Sequence, residues 1–319
     1  MRHDPPRPNL FIVGAPRSGT TALHAYLRTH PGIFMSDPKE PMYWADDLPG
    51  AMRSSWAPVS TLDAYLALFA GAEPHHRVIG EASPIYLRSH RAIARIEAFQ
   101  PEARYIALLR DPVDLVASYH MELLYLGYED VSDLGLAWAL QDERRRGHRI
   151  PPGCVEPELL QYEAMAKLGE QVERMLSLVP RARVKFIFFP ELAENPRRVY
   201  QETLAFLGLP DDGRRHFPRT NAAKRLRIPA LARALYAPPP VIAPLIHRIR
   251  RAYAHTHPRL QEALAKLLRP DAARRSIDPG LRATLTEAFR DDAQLLARLT
   301  ARDGGSPIDA HPAPPEEHA

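Results

Sequence analysis

NLFIVGAPRSGTTALHAYLRT, residues 9–29, is the stretch whose reading decides the fold. It opens on an apolar run, Leu10, Phe11, Ile12 and Val13, closed by Gly14, the pattern of a strand buried on both faces in a parallel sheet. Leu23, Tyr26 and Leu27 then recur at helical spacing, and Pro31 stops the helix. Between strand and helix lies APRSG. Gly14 and Gly19 let the backbone turn sharply, so successive N–H groups and the positive end of the helix dipole face an anion. Ser18, Thr20 and Thr21 add hydroxyl donors, and the whole reads as a phosphate cradle.

The cradle is not the usual nucleoside-triphosphate loop. The spacing from Gly14 to Gly19 fits G-x-x-x-x-G-K-[ST], but Thr20 occupies the lysine position and Arg17, inside the loop, supplies the cation. No apolar strand ending in an isolated aspartate presents itself to hold magnesium, and no H-E-x-x-H or comparable metal spacing exists. An ATPase or GTPase is disfavoured, and a nucleotide that needs no metal is favoured.

Two further stretches carry the same chemistry. RYIALL, residues 104–109, reads as a strand that delivers Arg110-Asp111-Pro112 into a loop, with Pro112 opening a helix that carries Ser118. Arg110 offers a planar, permanently charged fork to a phosphate, and Ser118 lies two helical turns along. Between the two, VIGEAS at 78–83 reads as another strand, and the loop K-E-P-M-Y-W at 39–44 sets a carboxylate among aromatic residues.

Taken together, PRSGTTAL, K-E-x-x-Y-W, G-E-A-S-P-x-Y and L-L-R-D-P with Ser118 resemble, in order and spacing, the motifs of sulfotransferases that use 3′-phosphoadenosine 5′-phosphosulfate (PAPS). The likeness is to the bacterial and carbohydrate-type members, similar to the heparan-sulfate enzymes. It implies an α/β fold with a P-loop-type parallel sheet flanked by helices and additional helices toward the C-terminus. It further implies that Pro16, Arg17, Ser18, Gly19, Thr20 and Thr21 hold the 5′-phosphosulfate, and that Arg110 and Ser118 hold the 3′-phosphate. Lys224, Arg225 and Arg227, in HFPRTNAAKRLRIP, match a late basic segment that folds over that phosphate. PAPS is then the co-substrate and adenosine 3′,5′-bisphosphate (PAP) the product, with no metal.

For the proton of the acceptor hydroxyl, the resemblance gives Glu40 the role of general base, and chemically a carboxylate there can take it. Glu81 is either a second catalytic carboxylate or a buried structural acceptor. The lysine that some members carry after that glutamate is Ala82 here, so any such contribution falls to Lys39 or Arg17. His120, two residues after Ser118, is the fallback base. The acceptor expected is a small-molecule or carbohydrate hydroxyl, not a nucleic acid. A P-loop small-molecule kinase and a non-catalytic nucleotide-binding protein are the alternatives.

Composition frames this reading. The 319 residues hold 42 Lys+Arg against 38 Asp+Glu, a balance too even to argue for a polyanionic partner. One cysteine, Cys154, excludes an internal disulfide and fits a reducing cytoplasm; no secretory leader or eighteen-residue apolar run occurs. Residues 1–8 read as a loose lead, 9–302 as one domain, and 303–319 as a disordered tail. Helices are expected over 61–70, 133–146, 157–178 and 278–300, and VKFIFF at 184–189 is the last strand. The run DERRRGHR at 142–149 reads as a solvated face. From 213 to 261 no acidic residue occurs among eleven Arg and Lys, which suits a cover over the phosphates. The helical stretch at 241–254 adds the option of weak contact with a membrane surface.

Overall fold

The computed structural model describes residues 6–48, 59–126, 128–152, 154, 156–218 and 277–301. Lys224, Arg225, Arg227, the stretch at 241–254 and the tail at 303–319 lie outside these residues, as does most of the basic segment.

Five strands form one parallel sheet: β1 (Leu10–Gly14), β2 (Ile33–Met35), β3 (Val78–Ala82), β4 (Arg104–Leu109) and β5 (Val184–Phe188), in the order β2-β3-β1-β4-β5. Four were expected from their apolar runs; β2, three residues long, was not. Every residue of β1 and β3 is buried, because helices cover both faces of the sheet. The alternation of side chains divides the core into two layers. Phe11, Val13, Tyr105, Ala107 and Leu109 point to one face, and Leu10, Ile12, Ile106 and Leu108 to the other.

The helices follow in chain order: α1 (Thr20–Leu27), α2 (Leu62–Ala67), α3 (Ala92–Phe99), α4 (Pro112–Leu126), α5 (Leu134–Ala139), α6 (Gln141–Arg145), α7 (Tyr162–Ala166), α8 (Leu168–Leu176), α9 (Phe189–Glu194), α10 (Pro196–Leu207), α11 (Pro279–Ala288) and α12 (Arg290–Thr300). Helices α1 and α10 cover the Leu10 face through Leu23, Leu27, Val199 and Leu204. Helices α3, α4, α7 and α8 cover the Phe11 face through Ile93, Ile96, Val116, Met165 and Val172. The caps are local chemistry. Asn195 accepts from the Arg198 amide at 3.0 Å, Pro196 sits at the first position of α10, and Gly208 ends it with φ 71°.

Three long helices expected from periodicity are broken. The 133–146 stretch splits at Leu140, the 157–178 stretch becomes a 3₁₀ turn at Pro157–Leu160 followed by α7 and α8, and the last helix divides at Phe289. The division at Phe289 lets α12 pack on α8. There the Asp292 carboxylate accepts from the Gly169 and Glu170 amides, both at 2.9 Å, and closes the N-terminus of α8.

Within the charged run, Arg144 is wholly buried rather than solvated. Its guanidinium donates two hydrogen bonds to Glu129, at 2.7 and 2.8 Å, and Tyr162 donates a third at 2.6 Å. A fork-on-carboxylate pair satisfies both charges at once, which is what allows an arginine into the core.

Candidate active site

The C-terminal ends of the strands carry the chemistry. Gly14 leads into the loop 15–19, Met35 into the segment 36–44, Ala82 into Ser83, and Leu109 into Arg110. The chain goes from β1 outward to β2, returns through β3, and crosses to β4 on the other side of β1. The crevice of such a sheet opens where the order reverses, here between β1 and β4.

Gly19 caps α1 with φ 93° and offers no side chain to the helix, and the first turn has no acidic residue. The amides of Thr20 and Thr21 open the helix, and first-turn amides have no carbonyl within it. With the dipole behind them, they suit an anion. Ser18 is fully buried with its hydroxyl donating to the Pro16 carbonyl at 3.4 Å, and Thr20 is buried at the helix start. Arg17 stands in the left-handed region, φ 63°, a conformation that non-glycine residues hold at a cost of roughly 1 kcal/mol. Its side chain crosses to α4, where Nε donates to the Ser118 hydroxyl at 3.1 Å and the guanidinium pairs with Glu122.

Arg110 completes the junction from β4. Its guanidinium donates to the Arg17 carbonyl at 2.9 Å and lies over the Phe189 ring, 4.8 Å from the centroid. The loop after β1, the turn after β4 and one face of α4 therefore meet in a single basic, hydroxyl-lined place. Arg17, Arg110 and Ser118, far apart in the chain, are brought together.

On the β3 side, Glu40 also stands in the left-handed region, φ 65°, as does Met42, φ 53°. Glu40 donates its amide to the Ala82 carbonyl at 3.1 Å, and its carboxylate, about a third exposed, is paired with Lys39. The neighbouring aromatics turn inward: Trp44 is buried against Tyr65 and Phe99, and Tyr43 stacks on Tyr65.

Glu81 has no exposed surface. Its carboxylate accepts from Ser83 at 2.6 Å, Tyr65 at 2.8 Å and Tyr86 at 3.0 Å. The same Ser83 and Tyr86 oxygens accept the Met42 and Trp44 amides at 3.1 and 3.4 Å. Burial pushes the Glu81 pKa up to about 7 against the pull of the three hydroxyls and Lys39. Of the two roles open to it, the geometry is that of a structural acceptor that ties segment 42–44 to β3.

His120 is two residues from Ser118, about 200° around the helix, and so lies on the opposite flank of α4. It is buried, its Nε2 is 2.9 Å from the Val131 carbonyl, its ring meets Tyr162, and burial lowers its pKa. Glu122, one turn beyond Ser118 on the same flank, was not singled out from the sequence; its i, i+4 spacing from Ser118 was the available signal. A separate shallow groove of about 400 Å³, lined by Arg181, Lys185 and Phe206 among others, begins at the N-terminal end of β5. That is the end of the sheet away from the loop.

A family model described as the sulfotransferase family matches residues 8–213. This chain belongs to the sulfotransferase family. The sulfotransferase from Alicyclobacillus acidocaldarius has a similar structure, with 26% identity, a TM-score of 0.64, and coverage of 92% of this chain and 96% of that one. The membrane-associated sulfotransferase kil1 of Dictyostelium discoideum is 31% identical over 120 residues, covering 37% of this chain and 24% of that protein. Mouse carbohydrate sulfotransferase 15 is 31% identical over 150 residues, 36% of this chain and 27% of that protein. The human bifunctional heparan sulfate N-deacetylase/N-sulfotransferase 3 is 25% identical over 205 residues, 63% of this chain and 22% of that protein. The chain thus spans about a quarter of the length of these curated relatives. The match places the chain among the sulfotransferases, on a parallel sheet flanked by helices like that of the Alicyclobacillus protein.

Proposed function

We propose that the chain transfers a sulfuryl group from PAPS to the hydroxyl of a carbohydrate or small-molecule acceptor, with Glu40 as the general base. The observation that carries this is the junction of the loop after β1 with the turn after β4. Two arginines, 93 positions apart, sit one on the other's backbone, with Ser118 against the first. A nucleotide with phosphate at both its 5′ and 3′ ends needs two such anion grips side by side, and the donor set of amides, hydroxyls and guanidinium groups suits both.

The residues divide the work. The amides opening α1, with Arg17, Ser18, Thr20 and Thr21, bind the 5′-phosphosulfate and stabilise the charge that builds on the departing phosphate. Arg110 and Ser118 hold the 3′-phosphate, and this is what rejects ATP. Glu40 takes the proton of the acceptor hydroxyl as its oxygen bonds to sulfur, while the sulfur–oxygen bond to the 5′-phosphate breaks and PAP leaves. Lys39, which pairs with Glu40, or Arg17 takes the part of the lysine that is absent at Ala82. Carbohydrate acceptors are favoured by one relative with that word in its name and another named for heparan sulfate.

Calorimetric titration with PAP, followed by incubation with labelled PAPS and a mixed acceptor library, tests the reading. Tight PAP binding and label on a hydroxyl acceptor support it. Binding of magnesium–ATP with indifference to PAP refutes it.

A further inference from the structure

The loop's own cation is shared. Arg17 reaches from the loop to α4 and is held by two side chains one helical turn apart, Ser118 through Nε at 3.1 Å and Glu122 through an ion pair. Arg17 and Glu122 are 31% and 33% exposed, so the pair sits at the rim of the crevice. A rim pair of this kind contributes little to folding. It does place a negative charge where a site built only for anion affinity would have none. Any phosphate or sulfate at the α1 N-terminus meets the Arg17 guanidinium with one side already given to a carboxylate.

We propose that Glu122 is a positioning residue that competes with the bound nucleotide for Arg17, keeping the guanidinium aimed across the loop while weakening the grip on the 5′ end so that PAP can leave. This rests on the reading of PAPS as donor. The geometry supports it from both sides. Ser118 and Glu122 face the loop from one flank of α4, whereas His120, between them in sequence, faces away into the core. Arg17 makes both contacts from a left-handed backbone, φ 63°. With one side of the guanidinium held by the carboxylate, a 5′ anion gains less from Arg17, which corresponds to about a tenfold loss of affinity, larger at low salt.

The experiment is calorimetric titration of the full chain with PAP at two ionic strengths, for the wild type, Glu122→Gln, Arg17→Ala and the double variant. Glutamine keeps an oxygen for the guanidinium and removes the charge. PAP should bind Glu122→Gln about tenfold more tightly, with the gain shrinking in salt. The gain should vanish when Arg17 is alanine, and shrink for adenosine 3′-phosphate, which has no 5′ anion but still meets Ser118 one turn from Glu122. Glu122→Ala, read in the same way, guards against a folding defect peculiar to the amide. Unchanged or weaker PAP binding in both Glu122 variants overturns the proposal while leaving the donor assignment intact. Failure of the wild type to bind PAP overturns the donor assignment and the proposal with it.

Discussion

Replacing Glu81 with glutamine should change how stability depends on pH more than it changes the fold. Glu81 is fully buried and its pKa stands at about 7 against an ordinary 4.5, so the folded chain holds its proton more tightly than the unfolded chain does. A folded value above the unfolded one means stability that is complete below pH 4.5 and is lost as pH rises toward 7. The gap corresponds to about 3 kcal/mol. Glutamine does not titrate, and it offers the same shape to Tyr65, Ser83 and Tyr86, one of whose hydroxyls must turn to accept from the amide. Other groups also titrate in this window. The His24 pKa, lowered to about 4 mainly by burial and then by Lys39, makes stability fall as pH drops from 6.5 toward 4. That term is common to both proteins and cancels in their difference. Urea unfolding at intervals from pH 4.5 to 8 gives the difference directly. The wild type should lose about 3 kcal/mol relative to Glu81→Gln across the window and then level off. A flat difference would show that burial does not govern Glu81, and one of opposite slope would show that the three hydroxyls win; either result refutes the reasoning.

Other perturbations separate the roles of the remaining residues. Glu40→Gln should leave PAP affinity nearly unchanged and lower kcat by about 10²-fold or more, as measured by calorimetry beside a PAPS turnover assay; equal loss of both would remove its assignment as base. Arg110→Ala should weaken PAP by about 10²-fold, the loss of a charge-assisted contact, while adenosine 5′-phosphosulfate, which lacks the 3′ group, loses far less. Gly169→Ala puts a carbon 2.3 Å from the Asp292 carbonyl oxygen, so α12 must part from α8. Its urea midpoint should fall, by roughly 1–3 kcal/mol in stability, with PAP affinity retained.

Four strands were legible as apolar runs, whereas three-residue β2 was too short to read as one. Arg17, Arg110 and Ser118 meet because strand-end loops far apart in the chain converge at one edge of the sheet. The failures have physical causes. Leu140 and Phe289 break helices with neither glycine nor proline to announce it, since the break serves packing against a distant element, as Asp292 on α8 illustrates. Arg144 looked solvated because its partners, Glu129 and Tyr162, come from separate segments. His120 looked close to Ser118 because proximity in sequence was read without the turn of the helix. Glu122 went unnoticed for the converse reason: it is a neighbour of Arg17 only in space. The role of Glu81 waited on Tyr65, contributed by a helix sixteen residues earlier.

Arg17, Glu40 and Met42 share a feature whose effect reaches beyond chemistry, each holding a backbone angle that glycine adopts freely and other residues resist. A laboratory screen for heat-tolerant variants would be drawn toward these positions. At the first two, relaxing the chain deletes the side chain proposed to handle the nucleotide or the acceptor. Under the proposed function, ruggedness and turnover compete at residues 17 and 40.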